Sequence, residues 1–290
     1  MQETLIELKN IEKSFNKGKN ILFTDLNLSI YPEQIIGVLG HNGCGKTTLV
    51  KIISGLISPE KGDILFQGEK VNTNNMRYRS SISVLSDANR SLYWNLTGRQ
   101  NIEYFSYLSS GGTNNEFFHE YIKKMKMETY IDNKVTYYSK GMKQKLMLLI
   151  ALINMPALVI MDEPLNGLDM ESVCVIEDVI HSAAKERKTS FLITSHDKFF
   201  IDEVCTVKYK INDKRLSLVG NEDTATTRTM TIFFEANDFP EHSVIEKNVN
   251  LIDAKRKMYG ITFGINNAEV YHEISKCISE RLFKIISVSL

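Results

Sequence analysis

The residues Gly40-His41-Asn42-Gly43-Cys44-Gly45-Lys46-Thr47 fit the spacing G-x-x-x-x-G-K-[ST]. Glycines in such a loop let successive backbone N–H groups close around a phosphate, and a following helix turns its positive end toward the anion. Lys46 then reaches the outer phosphates, the Thr47 hydroxyl ligates Mg²⁺, and Thr48 adds a contact to the innermost phosphate. A glycine-rich turn that merely precedes a helix would look similar. The flanks favour the phosphate cradle, because the apolar run Ile35 to Leu39 precedes the loop and an apolar helix follows it.

Further along, Leu158-Val159-Ile160-Met161-Asp162-Glu163-Pro164 sets two carboxylates at the end of a buried strand, the edge where a doubly wound sheet presents its ligand site. Asp162 is suited to hold Mg²⁺ through water and Glu163 to polarise an attacking water. Read alone, acidic residues before a proline often do no more than end a strand. Thr194-Ser195-His196-Asp197 follows the apolar run Phe191 to Ile193, so His196 is expected at the same sheet edge, against the outer phosphate or the water. Ser139-Lys140-Gly141-Met142 opens a helix with Ser139 as N-cap and Gly141 leaving its backbone exposed, a ready anion site that is weak by itself because every helix has an N-terminus.

Elements must hold these residues in place. Leu5 to Leu8, Leu26 to Ile30 and Asp63 to Phe66 alternate as half-buried strands, whereas Ile35 to Leu39, Ala157 to Met161 and Phe191 to Ile193 are continuously apolar, as a sheet covered on both faces requires. Thr97 to Gln100 has capping-box spacing, with Ile102, Phe105 and Leu108 on one helical face until Gly111-Gly112, and a second helix is expected between Ser139 and Pro156. Strands, a block of helices over Thr97 to Ile153, then strands again predict an α/β core with a helical insertion. The polar stretch Asn221 to Thr227 marks a boundary near Gly220. Beyond it Met230 to Phe234, Ile261 to Ile265 and Ile285 to Leu290 read as strands, and Val270, Ile274 and Ile278 lie at helical spacing.

Composition narrows the function classes. The 290 residues carry 35 basic and 35 acidic side chains, so no net field draws the chain to nucleic acid. The four cysteines, Cys44, Cys174, Cys205 and Cys277, form no close pair of the kind a zinc site or disulfide framework uses, and a reducing cytosol is expected. Met1 to Asn10 lacks a signal-peptide pattern. The longest apolar run, Leu146 to Ile153, falls far short of the roughly 20 helical residues that cross a bilayer.

The order of these motifs over Leu5 to Gly220 resembles the nucleotide-binding domain of ATP-binding cassette (ABC) transporters. By that resemblance Gly40 to Thr47 corresponds to the Walker A loop, Tyr138 to Met142 to the signature, Leu158 to Glu163 to Walker B, Leu165 to Asp169 to the D-loop and His196 to the switch histidine. The implied fold is an α/β P-loop NTPase of ABC type over residues 1–220, a mixed sheet core with an antiparallel β edge and a helical insertion. A small C-terminal α+β domain, residues 221–290, follows it. Phe15 stands where the family stacks an aromatic on adenine, although an ordinary core phenylalanine would read the same. The family's Mg²⁺-contacting glutamine is replaced by Ser86-Asp87-Ala88, which leaves Asp87 as the candidate ligand, and Tyr138, Lys140 and Met142 depart from the commonest signature.

The resemblance implies ATP and Mg²⁺ as ligands, with Lys46, Glu163 and His196 as catalytic residues. It also implies a second copy or a paired second ABC domain that adds its Ser139 and Gly141 to the site, with Asp169 nearby. A separate transmembrane permease is the expected partner, on the cytoplasmic face of the membrane. The short C-terminal addition and the stretch Leu92 to Arg99 are similar to exporters of the family. The tail is expected to serve dimer contacts or regulation rather than substrate binding. A soluble ABC ATPase acting on ribosomes or DNA is the alternative, disfavoured by a single cassette without a long coiled coil. Cys44, at a helix start, is expected to be alkylated unless nucleotide covers it.

Overall fold

The computed structural model describes residues 3–16, 19–72, 75–86, 92–110, 115–165 and 168–219, and in the tail 229–236, 249–253, 258–264 and 283–289. The chain divides into two units, Met1–Val219 and Gly220–Leu290.

Within the first unit, β1 (Ile6–Phe15), β2 (Asn20–Ile30), β4 (Lys61–Phe66) and β5 (Glu69–Val71) form an antiparallel sheet in the order β2-β1-β4-β5. Its inward residues, among them Ile6, Leu8, Ile11, Phe23, Leu26 and Leu28, are buried on one face, as the alternating sequence requires. The second sheet contains β3 (Ile35–Leu39), β6 (Ile82–Ser86), β7 (Leu158–Asp162), β8 (Ser190–Ser195), β9 (Val207–Asn212) and β10 (Arg215–Leu218), ordered β10-β9-β3-β8-β7-β6. All neighbours are parallel except the β9–β10 hairpin.

Every residue of β3, β7 and β8 is buried. Alternation within these apolar runs divides two cores. Leu158, Ile160 and Leu192 pack with the antiparallel sheet and α1 (Lys46–Ile53), while Val159, Met161, Phe191 and Ile193 pack with the helices on the opposite face. Those helices include α3 (Gly98–Ser110), α4 (Asn115–Lys124), α5 (Lys140–Leu152), α6 (Met170–Arg187) and α7 (Lys198–Val204), numbered after the short α2 (Met76–Ser80). The expected capping box is present: Thr97 N–H donates to Gln100 Oε1 at 3.0 Å, and Gln100 N–H donates to Thr97 Oγ1 at 3.1 Å.

Register aligns the functional edge. Leu39 pairs with Ser195 and Asp162 with Thr194, so β3, β7 and β8 end side by side and deliver Gly40, Glu163 and His196 to one edge. In the tail, β11 (Thr229–Ala236), β12 (Val249–Asp253), β13 (Met258–Gly264) and β14 (Phe283–Ser289) form an antiparallel sheet ordered β12-β13-β11-β14. The helix expected around Val270 to Ile278 lies outside the described residues.

Candidate functional site

The loop after β3 turns at Gly43 (φ 82°) and Gly45 (φ 115°), conformations that only glycine adopts without strain. Packing adds a second requirement at Gly45, where a Cβ would stand 2.7 Å from Phe23 Cζ. The α1 helix starts immediately after it, so its first-turn amides and positive end face an anion seated on the loop. A cleft of about 360 Å³ opens there, lined by Phe15, Leu22, Asn42, Gly43, Gly45, Lys46, Thr47, Thr48 and Glu163.

Phe15 is 43% exposed at the end of β1, so it is a cleft-lining aromatic and not the core phenylalanine that the sequence left open. Lys13 Nζ lies 5.6 Å from its ring centroid. Gly40, His41 and Cys44 shape the loop without lining the cleft. Gly40 and His41 supply carbonyls to Lys46, and His41 O also accepts from Cys44 N–H. The Cys44 side chain is half-buried, packed against Gly40 and the core beneath.

Lys46 is nearly buried, and its ammonium meets Gly40 O at 2.6 Å, His41 O at 3.3 Å and Glu163 Oε1 at 3.2 Å. The Thr47 hydroxyl donates to Asp162 Oδ2 at 2.8 Å, and the Thr194 hydroxyl donates to Asp162 Oδ1 at 2.5 Å. Glu163 takes φ 50°, a left-handed conformation costing a side-chain-bearing residue about 1–2 kcal/mol. Its N–H donates to Thr194 O at 3.0 Å, and His196 Nδ1 lies 2.8 Å from Glu163 Oε2. Lys46, Thr47, Asp162, Glu163 and His196 therefore form one connected polar cluster. Thr194, which reaches both acids, carried no sequence signal of its own, because its role depends on the β7–β8 register.

The remaining candidates form a second group that does not line the cleft. Ser139 caps α5 and accepts from Met142 N–H at 3.1 Å. Asp169 caps α6, accepting from Ser172 N–H at 2.9 Å and Ser172 Oγ at 3.0 Å, and the backbone and hydroxyl bonds from Ser172 hold its carboxyl below the usual aspartate range. Gly141 was expected to leave backbone exposed, but it is buried because the two helix starts meet there: a Cβ on it would collide with Ser172 Oγ and lie 3.2 Å from Asp169 Oδ2. Behind it Tyr138 donates to Tyr130 O at 2.9 Å, and burial pushes its phenol up to about 12. Asp87 lies outside the described residues, as do Asn166 and Gly167.

No helix among the described residues is long and apolar enough to cross a membrane. The sequence profile of the family described as ABC transporter matches residues 23–166. The chain is 28% identical over 293 aligned residues to the ABC transporter ATP-binding protein YhcH of Bacillus subtilis, covering 99% of this chain and 94% of that one. It is 31% identical to the lantibiotic transport ATP-binding protein SrtF of Streptococcus pyogenes, covering 66% of this chain and 80% of that one. In fold it is similar to cbiO1 from Clostridium perfringens, part of the ABC transporter complex cbiONQ, with a TM-score of 0.69 at 22% identity over 77% of this chain and 90% of that one. With its nucleotide cleft and its relatives in agreement, the chain belongs to the ABC transporter family as an ATP-binding, ATP-hydrolysing subunit.

Proposed function

We propose that ATP lies with its base on Phe15 and its phosphates in the loop Gly40 to Thr47, and that Glu163 acts on the attacking water. The observation that carries this reading is the placement of Glu163, with one carboxylate oxygen 3.2 Å from Lys46 Nζ and the other 2.8 Å from His196 Nδ1. A terminal phosphate entering beside Lys46 competes with Glu163 for the ammonium, which releases the carboxylate to accept a proton from water. The water oxygen then attacks the terminal phosphorus, the bond to the bridging oxygen breaks, and ADP leaves with that electron pair. His196 keeps Glu163 oriented and can donate to the transferred phosphoryl group.

The Thr47 hydroxyl and Asp162 carboxylate are hard oxygen donors side by side, a set suited to Mg²⁺, which binds through one or two protein oxygens together with substrate phosphates. When bound, the ion offsets charge on the phosphate oxygens. Asp87 is the further candidate ligand. A second copy of the chain, or another ABC domain, completes the site with its Ser139 and Gly141. A separate membrane permease couples the cycle to substrate movement, and the direction is outward, in keeping with the exporter-like stretch Leu92 to Arg99 and the short tail. The lantibiotic transport function named for one relative agrees with such a partner.

Glu163→Gln tests the reading in the purified chain. It keeps size and hydrogen bonding but removes the base, so turnover should fall by about 100-fold or more while ATP binding persists. Turnover equal to wild type would refute the assignment.

A further inference from the structure

The carboxylates of Walker B sit on consecutive residues, yet they point to different tasks, and a single residue on the neighbouring strand grips both. Thr194 is fully buried and pairs with Asp162 across the β7–β8 ladder. Its hydroxyl donates to Asp162 Oδ1 at 2.5 Å, while its carbonyl accepts the Glu163 N–H at 3.0 Å. Thr47 holds the other oxygen of Asp162 at 2.8 Å, so the carboxylate is fixed from both sides. The Glu163 N–H is the last rung of the parallel ladder before the chain turns at φ 50° and sends that side chain back to Lys46.

We propose that Thr194 is a positioning residue for ATP hydrolysis, setting the orientation of Asp162 through its hydroxyl and of Glu163 through its carbonyl. Without the hydroxyl, Asp162 loses one of its two fixed hydrogen bonds and is held on the Thr47 side alone. Valine keeps the shape and the carbonyl, so it separates the Asp162 arm from the Glu163 arm. Serine keeps the donor and gives up only the methyl. The inference rests on the reading of Asp162 as the residue that holds the metal.

The test uses the full chain with Thr194→Ser, Thr194→Cys and Thr194→Val, a series in which the donor weakens stepwise. Mn²⁺ binding in the presence of a non-hydrolysable ATP analogue is followed by electron paramagnetic resonance, alongside steady-state hydrolysis and metal-free nucleotide binding in EDTA. Removal of partners behind a metal ligand commonly costs about 10- to 100-fold. Thr194→Val should therefore weaken Mn²⁺ binding and lower kcat by factors in that range, with metal-free binding unchanged. Thr194→Ser should recover most of both, and Thr194→Cys should fall between them and carry the comparison if the valine variant does not fold. Wild-type Mn²⁺ binding and kcat in the valine or cysteine variant, or a serine variant as impaired as valine, would overturn the proposal. Asp162→Asn in parallel tells which idea has failed, since retained Mn²⁺ binding there would remove the metal reading itself.

Discussion

At the scale of single residues, the two helix starts beside Ser139 show how little room the fold leaves. Gly141 is required by contact rather than by backbone angle, because any side chain there meets Ser172 and approaches Asp169. Gly141→Ala should lower stability by about 1–3 kcal/mol, the usual cost of overpacking. Urea unfolding would measure it, and Ser172→Gly added to the variant should restore part of the loss; additive losses would show that the collision is not the cause. The same contact explains why the sequence misled at this position. A Ser-x-Gly helix start is legible from residue types, but a glycine that admits another helix cannot be told from one that bares its amides until the partner helix is known. The packing of Cys44 is likewise invisible in the sequence, because the contact of its side chain with Gly40 and the core depends on how the loop folds back.

At the scale of elements, the legible parts were those with a local cause. The continuous apolar runs of β3, β7 and β8 and the capping box at Thr97 were readable because burial on two faces and reciprocal amide capping leave their mark within a few residues. The β9–β10 edge of the second sheet leaves no such mark. The hairpin of residues 207 to 218 carries Lys208, Lys210 and Arg215 in its strands and Asp213 and Lys214 in its turn, and an edge hairpin is half exposed. The 18-residue α6 is not among the expected helices, although Val175, Ile176, Val179, Ile180 and Ala183 follow helical spacing after the Asp169 cap. That helix anchors the helical insertion. Lys124 at the end of α4 reaches Ser182 Oγ at 2.6 Å and Glu186 Oε2 at 2.7 Å on α6, with Glu120 at 2.9 Å on its own helix. The lysine is partly exposed, so Lys124→Met should cost about 0.5–1 kcal/mol in low salt. The difference should shrink in high salt as screening weakens the charged contacts of the wild type, and unfolding curves at two ionic strengths would check it.

At the scale of the whole molecule, the division after Val219 predicts that residues 1–219 form the working ATPase. A chain ending at Val219 should unfold cooperatively and bind ATP as the full chain does, as calorimetry and nucleotide titration would report. If its hydrolysis and its self-association also match the full chain, the tail serves neither dimer contacts nor regulation. A domain is stable by only about 5–15 kcal/mol in total, so a residue that costs one of them is a sizeable concession. Glu163, held at φ 50°, is such a residue. Glycine there would relieve the backbone, but it would also remove the base and leave the nearly buried Lys46 ammonium without its carboxylate partner, so strain, ion pairing and turnover all meet at this position. A screen of this protein for thermal resistance alone would therefore keep the acid at residue 163 only while the ion pair outweighs the strain it imposes.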